Sequence, residues 1–227
     1  MDAPAYPLFL SLRDCACLVA GFGGVGRRKV SGLLACAPAV VHIFDLREPE
    51  DDEGRALLRH KAVRFHARAC EEEDLRACRL VFAATGSRSE NARIAALCAR
   101  LGLFCNCADA PEEGSVIVPA VARIDGLTAA LSTGGASPAL ARRWRGELEA
   151  WLAPRARMTR LMGRLRPLVL ALGRDTGQNT SIFRTLAASP LQEYLERGDL
   201  AACRAILEQT LPPVLHDRIT ELLNAVA

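Results

Sequence analysis

Short apolar runs recur through the first hundred residues, with amphipathic stretches between them. Cys15–Ala20, Val40–Phe44, Ala62–His66, Leu80–Ala84 and Leu103–Cys107 read as five strands. Most are near-continuous rather than alternating, the pattern of strands covered on both faces. Val25–Cys36, Pro49–Arg59, Glu71–Cys78 and Ser89–Leu101 read as the intervening helices. Val30, Leu33 and Leu34 fall on one side of the first, and Ile94, Leu97 and Cys98 on one side of the last. Strand alternating with helix predicts a parallel sheet with helices on both faces.

The rhythm changes after Asp109. Ser115–Ile124 and Leu127–Ser132 read as two strands joined by Asp125-Gly126, a strong hairpin dipeptide. A Gly-rich loop, Thr133–Ala136, follows. Ser137 then stands at a helix N-cap with Pro138 at the first helical position. Leu140, Trp144, Leu148 and Trp151 form one apolar stripe along that helix. From Pro154 onward the pattern is helical, broken near Gly173–Thr180, Ser189-Pro190, Gly198 and Pro212-Pro213. The expected division is a sheet domain over 1–112, a small strand-rich segment over 113–152 and a helical domain over 153–227.

The chain has 227 residues, 50% hydrophobic, 24% charged and 5% aromatic, enough for a sheet domain plus a smaller unit and too apolar for disorder. No apolar stretch reaches the roughly 18–20 residues a membrane span needs; Leu161–Leu172 is broken by Arg164, Arg166 and Pro167. The Met-Asp-Ala-Pro start has no secretory character. A soluble, cytoplasmic protein is expected. Nine cysteines, an odd number, fit a reducing compartment. The Cys15/Cys17 and Cys105/Cys107 pairs lack zinc-knuckle spacing and read as small packing residues, so no metal site is expected.

The net charge is +3, and Lys29 and Lys61 are the only lysines. Eight arginines lie between Arg142 and Arg166 against Glu147 and Glu149. Such a cluster is either a solvated helix face or a surface for a polyanion. Aromatic residues are not interleaved with it as nucleic-acid stacking requires, so a ligand with several carboxylates is preferred and no nucleic acid is expected.

Gly21-Phe22-Gly23-Gly24-Val25-Gly26 is a full G-x-G-x-x-G that follows a predicted strand and opens a predicted helix. Gly21 permits the tight turn, Gly23 the approach of a pyrophosphate, and Gly26 the close packing of helix on strand. Asp45 ends the second strand about 20 residues on, where a carboxylate accepts from a ribose hydroxyl. It would repel a 2′-phosphate, which favours NAD over NADP. The domain is therefore expected to be of Rossmann type. Thr85 ends the fourth strand on the same edge and reads as a cofactor contact or as an N-cap. Asn106 and Asp109 lie at the end of the fifth strand there, and Asp109 is the best-placed acid–base candidate, a turn former being the alternative. Ser132, Thr133 and Ser137, with Arg142 one turn further on, form a helix-start anion site for substrate.

These residues resemble a known family. Tyr6-Pro7-Leu8-Phe9-Leu10, LVAGFGGVGRRK, VFAAT, Asn91, Asn106-x-x-Asp109-x-Pro111, Val118-Pro119-Ala120 and LSTGGASPALARRWRGELE are together similar to precorrin-2 dehydrogenase, also found as the amino-terminal part of siroheme synthase. The resemblance covers roughly residues 5–152. It implies NAD-dependent oxidation of precorrin-2 to sirohydrochlorin in siroheme biosynthesis, with Asp109 as the acid–base residue. It places cofactor contacts at Gly21, Gly23, Gly24, Val25, Asp45 and Leu46, and with the hairpin and the Trp144/Trp151 stripe it suggests a homodimer. Gly114-Ser115-Val116 departs from the family, which commonly has an aromatic there, and Thr133 stands where siroheme synthase carries serine. The alternatives are a bifunctional enzyme that also inserts iron, and a non-enzymatic NAD-sensing module.

Overall fold

The computed structural model describes residues 5–226, so the Met-Asp-Ala-Pro start lies outside the described residues. The chain divides into two compact units, parting between Val118 and Pro119.

The first unit is built on five parallel strands in the order β3-β2-β1-β4-β5: β1 (Ala16–Ala20), β2 (Val40–Asp45), β3 (Val63–Ala67), β4 (Cys78–Ala83) and β5 (Phe104–Cys107). The linking helices are α1 (Gly24–Leu34), α2 (Asp52–Leu58), α3 (Glu72–Arg76) and α4 (Arg88–Leu101). The near-continuous apolar strands have a direct packing consequence. Cys17 and Val19 of β1 belong to a core with Val30, Leu33, Val41 and Ile43. Their neighbours Leu18 and Ala20 point into a second core with Phe44, Leu75, Val81, Ile94 and Cys98. Successive side chains alternate faces, so a strand buried on both sides must be apolar throughout. Strand order reverses between β1 and β4, and the loop after β1 lies at that switch point, where open α/β sheets bind ligands.

Both Cys-x-Cys pairs behave as packing residues. Cys15 and Cys17 share one core, and Cys105 and Cys107 the other. Cys105 and Cys107 alternate with Asn106 along β5, and Asn106 points to the opposite face.

The second unit opens with the antiparallel pair β6 (Ala120–Ile124) and β7 (Leu127–Leu131). Asp125 and Gly126 both take positive φ, at 43° and 84°, as the two-residue primed turn requires. Residues 115–119 are not part of β6, contrary to the strand expected from Ser115. The Ser115 and Val116 amides both donate to the Cys105 carbonyl, at 2.8 and 3.0 Å, so this segment is committed to the edge of β5. Pro119, which has no N–H, then precedes the first paired residue. Helix α5 (Pro138–Leu152) packs on the hairpin, with Ser137 accepting from the Leu140 amide as its N-cap.

Helices α6 (Ala156–Leu170), α7 (Thr176–Ala188), α8 (Leu191–Arg197), α9 (Leu200–Thr210) and α10 (Ile219–Asn224) complete this unit. Leu161, Leu165 and Val169 of α6 form one stripe at helical spacing against Leu186, Leu195, Leu207 and Ile219. No helix among the described residues is long and apolar enough to cross a membrane.

Candidate active site

The glycine loop is shaped by contacts that leave no room for side chains. A Cβ at Gly21, whose φ is 93°, would lie 2.2 Å from the Ala84 carbonyl oxygen, and one at Gly26 would lie 1.9 Å from the Gly21 carbonyl oxygen. At Gly23 and Gly24 the space is open. Two glycines therefore seat the turn against β4 and α1, and two keep its outer side bare. Gly23 is the N-cap of α1 with no side-chain cap bond, and no acidic residue stands in the first turn. The open side offers uncapped helix N–H groups to an anion, which is what a pyrophosphate needs. The loop fits a dinucleotide.

Asp45 binds the loop itself. Its Oδ2 accepts from the Phe22 amide at 2.6 Å and its Oδ1 from the Arg47 amide at 3.3 Å. Arg27 locks the other side, with Nε donating to the Phe22 carbonyl at 3.1 Å and the guanidinium paired with Asp51 at 2.6 Å. Val25 and Leu46 flank the loop as exposed apolar residues. Their exposure beside a nucleotide-shaped loop suits a flat apolar base.

Across the switch point, Thr85 is not the N-cap of α4; Ser87 is, accepting from the Glu90 amide. Thr85 instead meets Asn91. Asn91 Oδ1 accepts from the Thr85 amide at 2.9 Å and from its hydroxyl at 2.7 Å. Asn91 Nδ2 donates to the Thr85 carbonyl at 3.2 Å and to Asp109 Oδ1 at 3.0 Å. The Cys107 thiol donates to the same oxygen at 3.3 Å. Burial lifts the Asp109 pKa, but the hydrogen bonds from Cys107 and Asn91, its own backbone and the nearby Arg88 charge outweigh it. The carboxyl is held below its ordinary value. Burial pushes the Cys107 thiol up to about 11, so it stays protonated and remains a donor at neutral pH.

Asn106 is buried, and its Nδ2 donates to the Val116 carbonyl at 3.0 Å. Its Oδ1 is buried with no hydrogen-bond partner among the described residues, an acceptor left open beside β5.

Ser132, Thr133, Ser137 and Arg142 belong to the second unit. Ser132 Oγ accepts from the Gly134 amide at 3.2 Å, and Thr133 Oγ1 accepts from the Ser137 amide at 3.2 Å, so the loop hydroxyls shape the loop. The arginine cluster has mostly local partners. Arg143 pairs with Glu147, Arg145 with Glu149 and Arg160 with Asp125. Arg155 lies over Trp151, Arg166 over Phe183, and Arg157 donates to the Leu195 carbonyl. These six find partners within their own unit, most of them on exposed helix surface and Arg157 on α8. No group of three or more His, Cys, Asp or Glu that could hold a metal ion occurs among the described residues.

Sequence reasoning passed over the joint role of Asn91 and the thiol of Cys107. The available signal was an amide six residues after Thr85 in the first turn of a helix, where it can reach back to the strand end.

Residues 8–120 match a family model described as "Putative NAD(P)-binding". The siroheme synthase of Pseudomonas entomophila is 34% identical over 204 residues, 89% of this chain and 43% of that protein. The siroheme synthase of Thioalkalivibrio sulfidiphilus is 33% identical over 214 residues, 94% of this chain and again 43% of the relative. The solved structure of SirC, precorrin-2 dehydrogenase, superposes with a TM-score of 0.68 at 18% identity, covering 97% of this chain and 100% of its own. The last match establishes the fold, the five-stranded parallel sheet followed by a hairpin and helices. The chain is a relative of the siroheme synthases, spanning less than half of their length, with a domain of NAD(P)-binding type.

Proposed function

We propose that the chain oxidises precorrin-2 to sirohydrochlorin with NAD. The observation that carries this reading is the juxtaposition at one sheet edge of a bare glycine cradle with Asp45 and a hydrogen-bonded carboxylate, Asp109, after β5. A non-enzymatic NAD sensor would need the first and not the second. The names of the siroheme synthase relatives and of the structurally similar dehydrogenase supply the substrate.

In the reaction the macrocycle loses a hydride and a proton and gains a double bond. Bound NAD supplies the hydride acceptor. Gly21, Gly23, Gly24, Val25 and Gly26 would hold its pyrophosphate side, with Asp45 and Leu46 at the adenosine end and Thr85 along the strand edge. Asp109 is the proton acceptor. Asn91 and Cys107 both bond its Oδ1, which leaves Oδ2 to take the proton. Its carboxyl, held below the ordinary value, is ionised at neutral pH and so free to accept a proton. Asn106 offers its open acceptor, and Ser132, Thr133, Ser137 and Arg142 are assigned to the substrate carboxylates.

The exposed Leu140, Trp144 and Trp151 on α5, beside the hairpin, support a homodimer through this segment. A cytoplasmic location follows from the same reading. The test is an anaerobic assay of precorrin-2 with NAD, read by visible absorbance. Formation of sirohydrochlorin with stoichiometric NADH supports the reading, and NAD binding without turnover overturns it. A parallel reaction with sirohydrochlorin, ferrous iron and no NAD reports iron insertion separately.

A further inference from the structure

Asn91 is among the most enclosed polar side chains of the first unit, at 1% exposure. An amide that deep needs its hydrogen bonds made. One end meets Thr85 only, and the other is shared between the Thr85 carbonyl and Asp109. A side chain needed only to close the β4–α4 turn would have no use for the bond to Asp109, which lies 18 residues further on. That bond joins the two strand ends on which the proposed reaction depends.

We propose that Asn91 is a positioning residue: it fixes the Asp109 carboxylate relative to Thr85 and the cofactor edge, and keeps that carboxylate an acceptor. The inference rests on the reading of Asp109 as the proton acceptor. The charged, titratable and hydrogen-bonding groups facing Asp109 come from three elements. Arg88 and Asn91 lie on α4, with Arg88 Nη1 donating to the Asp109 carbonyl at 3.5 Å. Cys107 lies on β5. Glu112 and Glu113 lie on the 3-10 turn after Ala110, where Arg88 pairs with them at 4.0 and 3.0 Å. Arg88 thus acts on the carboxylate through its charge and is shared with Glu112 and Glu113, while among these groups only the Asn91 amide and the Cys107 thiol donate directly to the carboxylate. Of the two, the Asn91 amide can be exchanged for a carboxylate of nearly the same shape, which turns a donor into a like charge.

The substitution Asn91→Asp separates positioning from mere structure. It keeps an oxygen for the Thr85 amide and hydroxyl, and places a second carboxylate where the donor to Asp109 stood. Two carboxylates sharing one site cannot both ionise freely, and one pKa rises strongly.

The experiment follows kcat/KM for precorrin-2 oxidation from pH 5 to 9 in wild type, Asn91→Asp, Asn91→Ala and Asp109→Asn, with thermal melting of each. Wild type is expected to show no acid limb above pH 5. Asn91→Asp is expected to acquire one between about pH 5 and 7 and to recover to within about tenfold of wild type at high pH. Asn91→Ala is expected to lose activity at all pH values. A pH profile of Asn91→Asp parallel to that of wild type overturns the proposal, whatever its melting temperature. Loss of Asn91→Asp activity with no recovery up to pH 9 also overturns it. Near-normal turnover by Asp109→Asn is a different result: it removes the base assignment itself and is recognisable because wild type and Asp109→Asn then share one profile.

Discussion

The Phe22 amide donates to Asp45 Oδ2 across 2.6 Å, so the loop after β1 is held by the residue that ends β2. The two are 23 residues apart, joined because β1 and β2 are parallel neighbours paired Ala20 to Phe44. Asp45 thus sets the loop's shape as well as its charge.

Asp45→Ala is therefore expected to do more than relax the choice between NAD and NADP. A hydrogen bond to a charged acceptor is worth about 1.5–3 kcal/mol, and its loss should loosen the loop and weaken NAD by about tenfold or more. Asp45→Asn keeps an acceptor for Phe22 and should lose mainly the discrimination against a 2′-phosphate. Calorimetric titration with both dinucleotides checks this. Tighter binding of NADP than NAD by wild type would refute the assignment.

The glycines of the fingerprint are expected to fail in different ways. Gly26→Ala drives a Cβ into the Gly21 carbonyl, and backbone cannot yield as a side-chain tip does. A loss of about 3 kcal/mol or more is expected, seen as a lower melting temperature. Gly23→Ala has open space and a φ of −70°, so it should fold normally while weakening NAD. Equal melting losses for both would show that the loop is packed differently.

Asp109→Asn should retain the fold and NAD affinity and lose about 10²–10⁴-fold in turnover, because an amide cannot take the proton. In the native protein the carboxyl lies below its ordinary pKa. Any stability this contributes is present above the ordinary carboxylate pKa and is lost as the pH falls through the lower folded value. The measurement is single-turnover oxidation of precorrin-2, with melting on the same sample. A turn-forming aspartate would tolerate asparagine in both.

Burial raises the thiol of Cys17 to about 12 and those of Cys70, Cys78 and Cys107 to about 11. These four are expected to resist a thiol-specific reagent at pH 8 and to react when the chain is unfolded, since the thiolate is the reactive form. Mass spectrometry of native, briefly labelled protein checks this. Rapid labelling of Cys107 would contradict its place as a protonated donor to Asp109.

Trp144→Glu is expected to convert a dimer to a monomer at micromolar concentration in sedimentation equilibrium, because the residue is 38% exposed on the α5 stripe that no described segment covers fully. A monomeric wild type would sink the proposed assembly.

What the chain determines by itself is what depends on local pattern. Continuous apolar runs between amphipathic helices specify five buried parallel strands. Gly21, Gly23 and Gly26 specify a tight bare turn, Asp125-Gly126 a primed hairpin, and Ser137-Pro138 a helix start. Each follows from the conformational limits of a few neighbouring residues. Tertiary structure decided where those pieces meet. Cys105 captures Ser115 and Val116, so β6 begins only at Ala120. Most of the arginine cluster finds partners within its own unit, five of them ion pairs or ring contacts one turn away or across the unit. Asp45 reaches Phe22, and Asn91 joins Thr85 to Asp109, through strand order rather than spacing. Hydrogen bonds between residues 18 and 23 positions apart depend on which strands become neighbours, and periodicity carries no record of that.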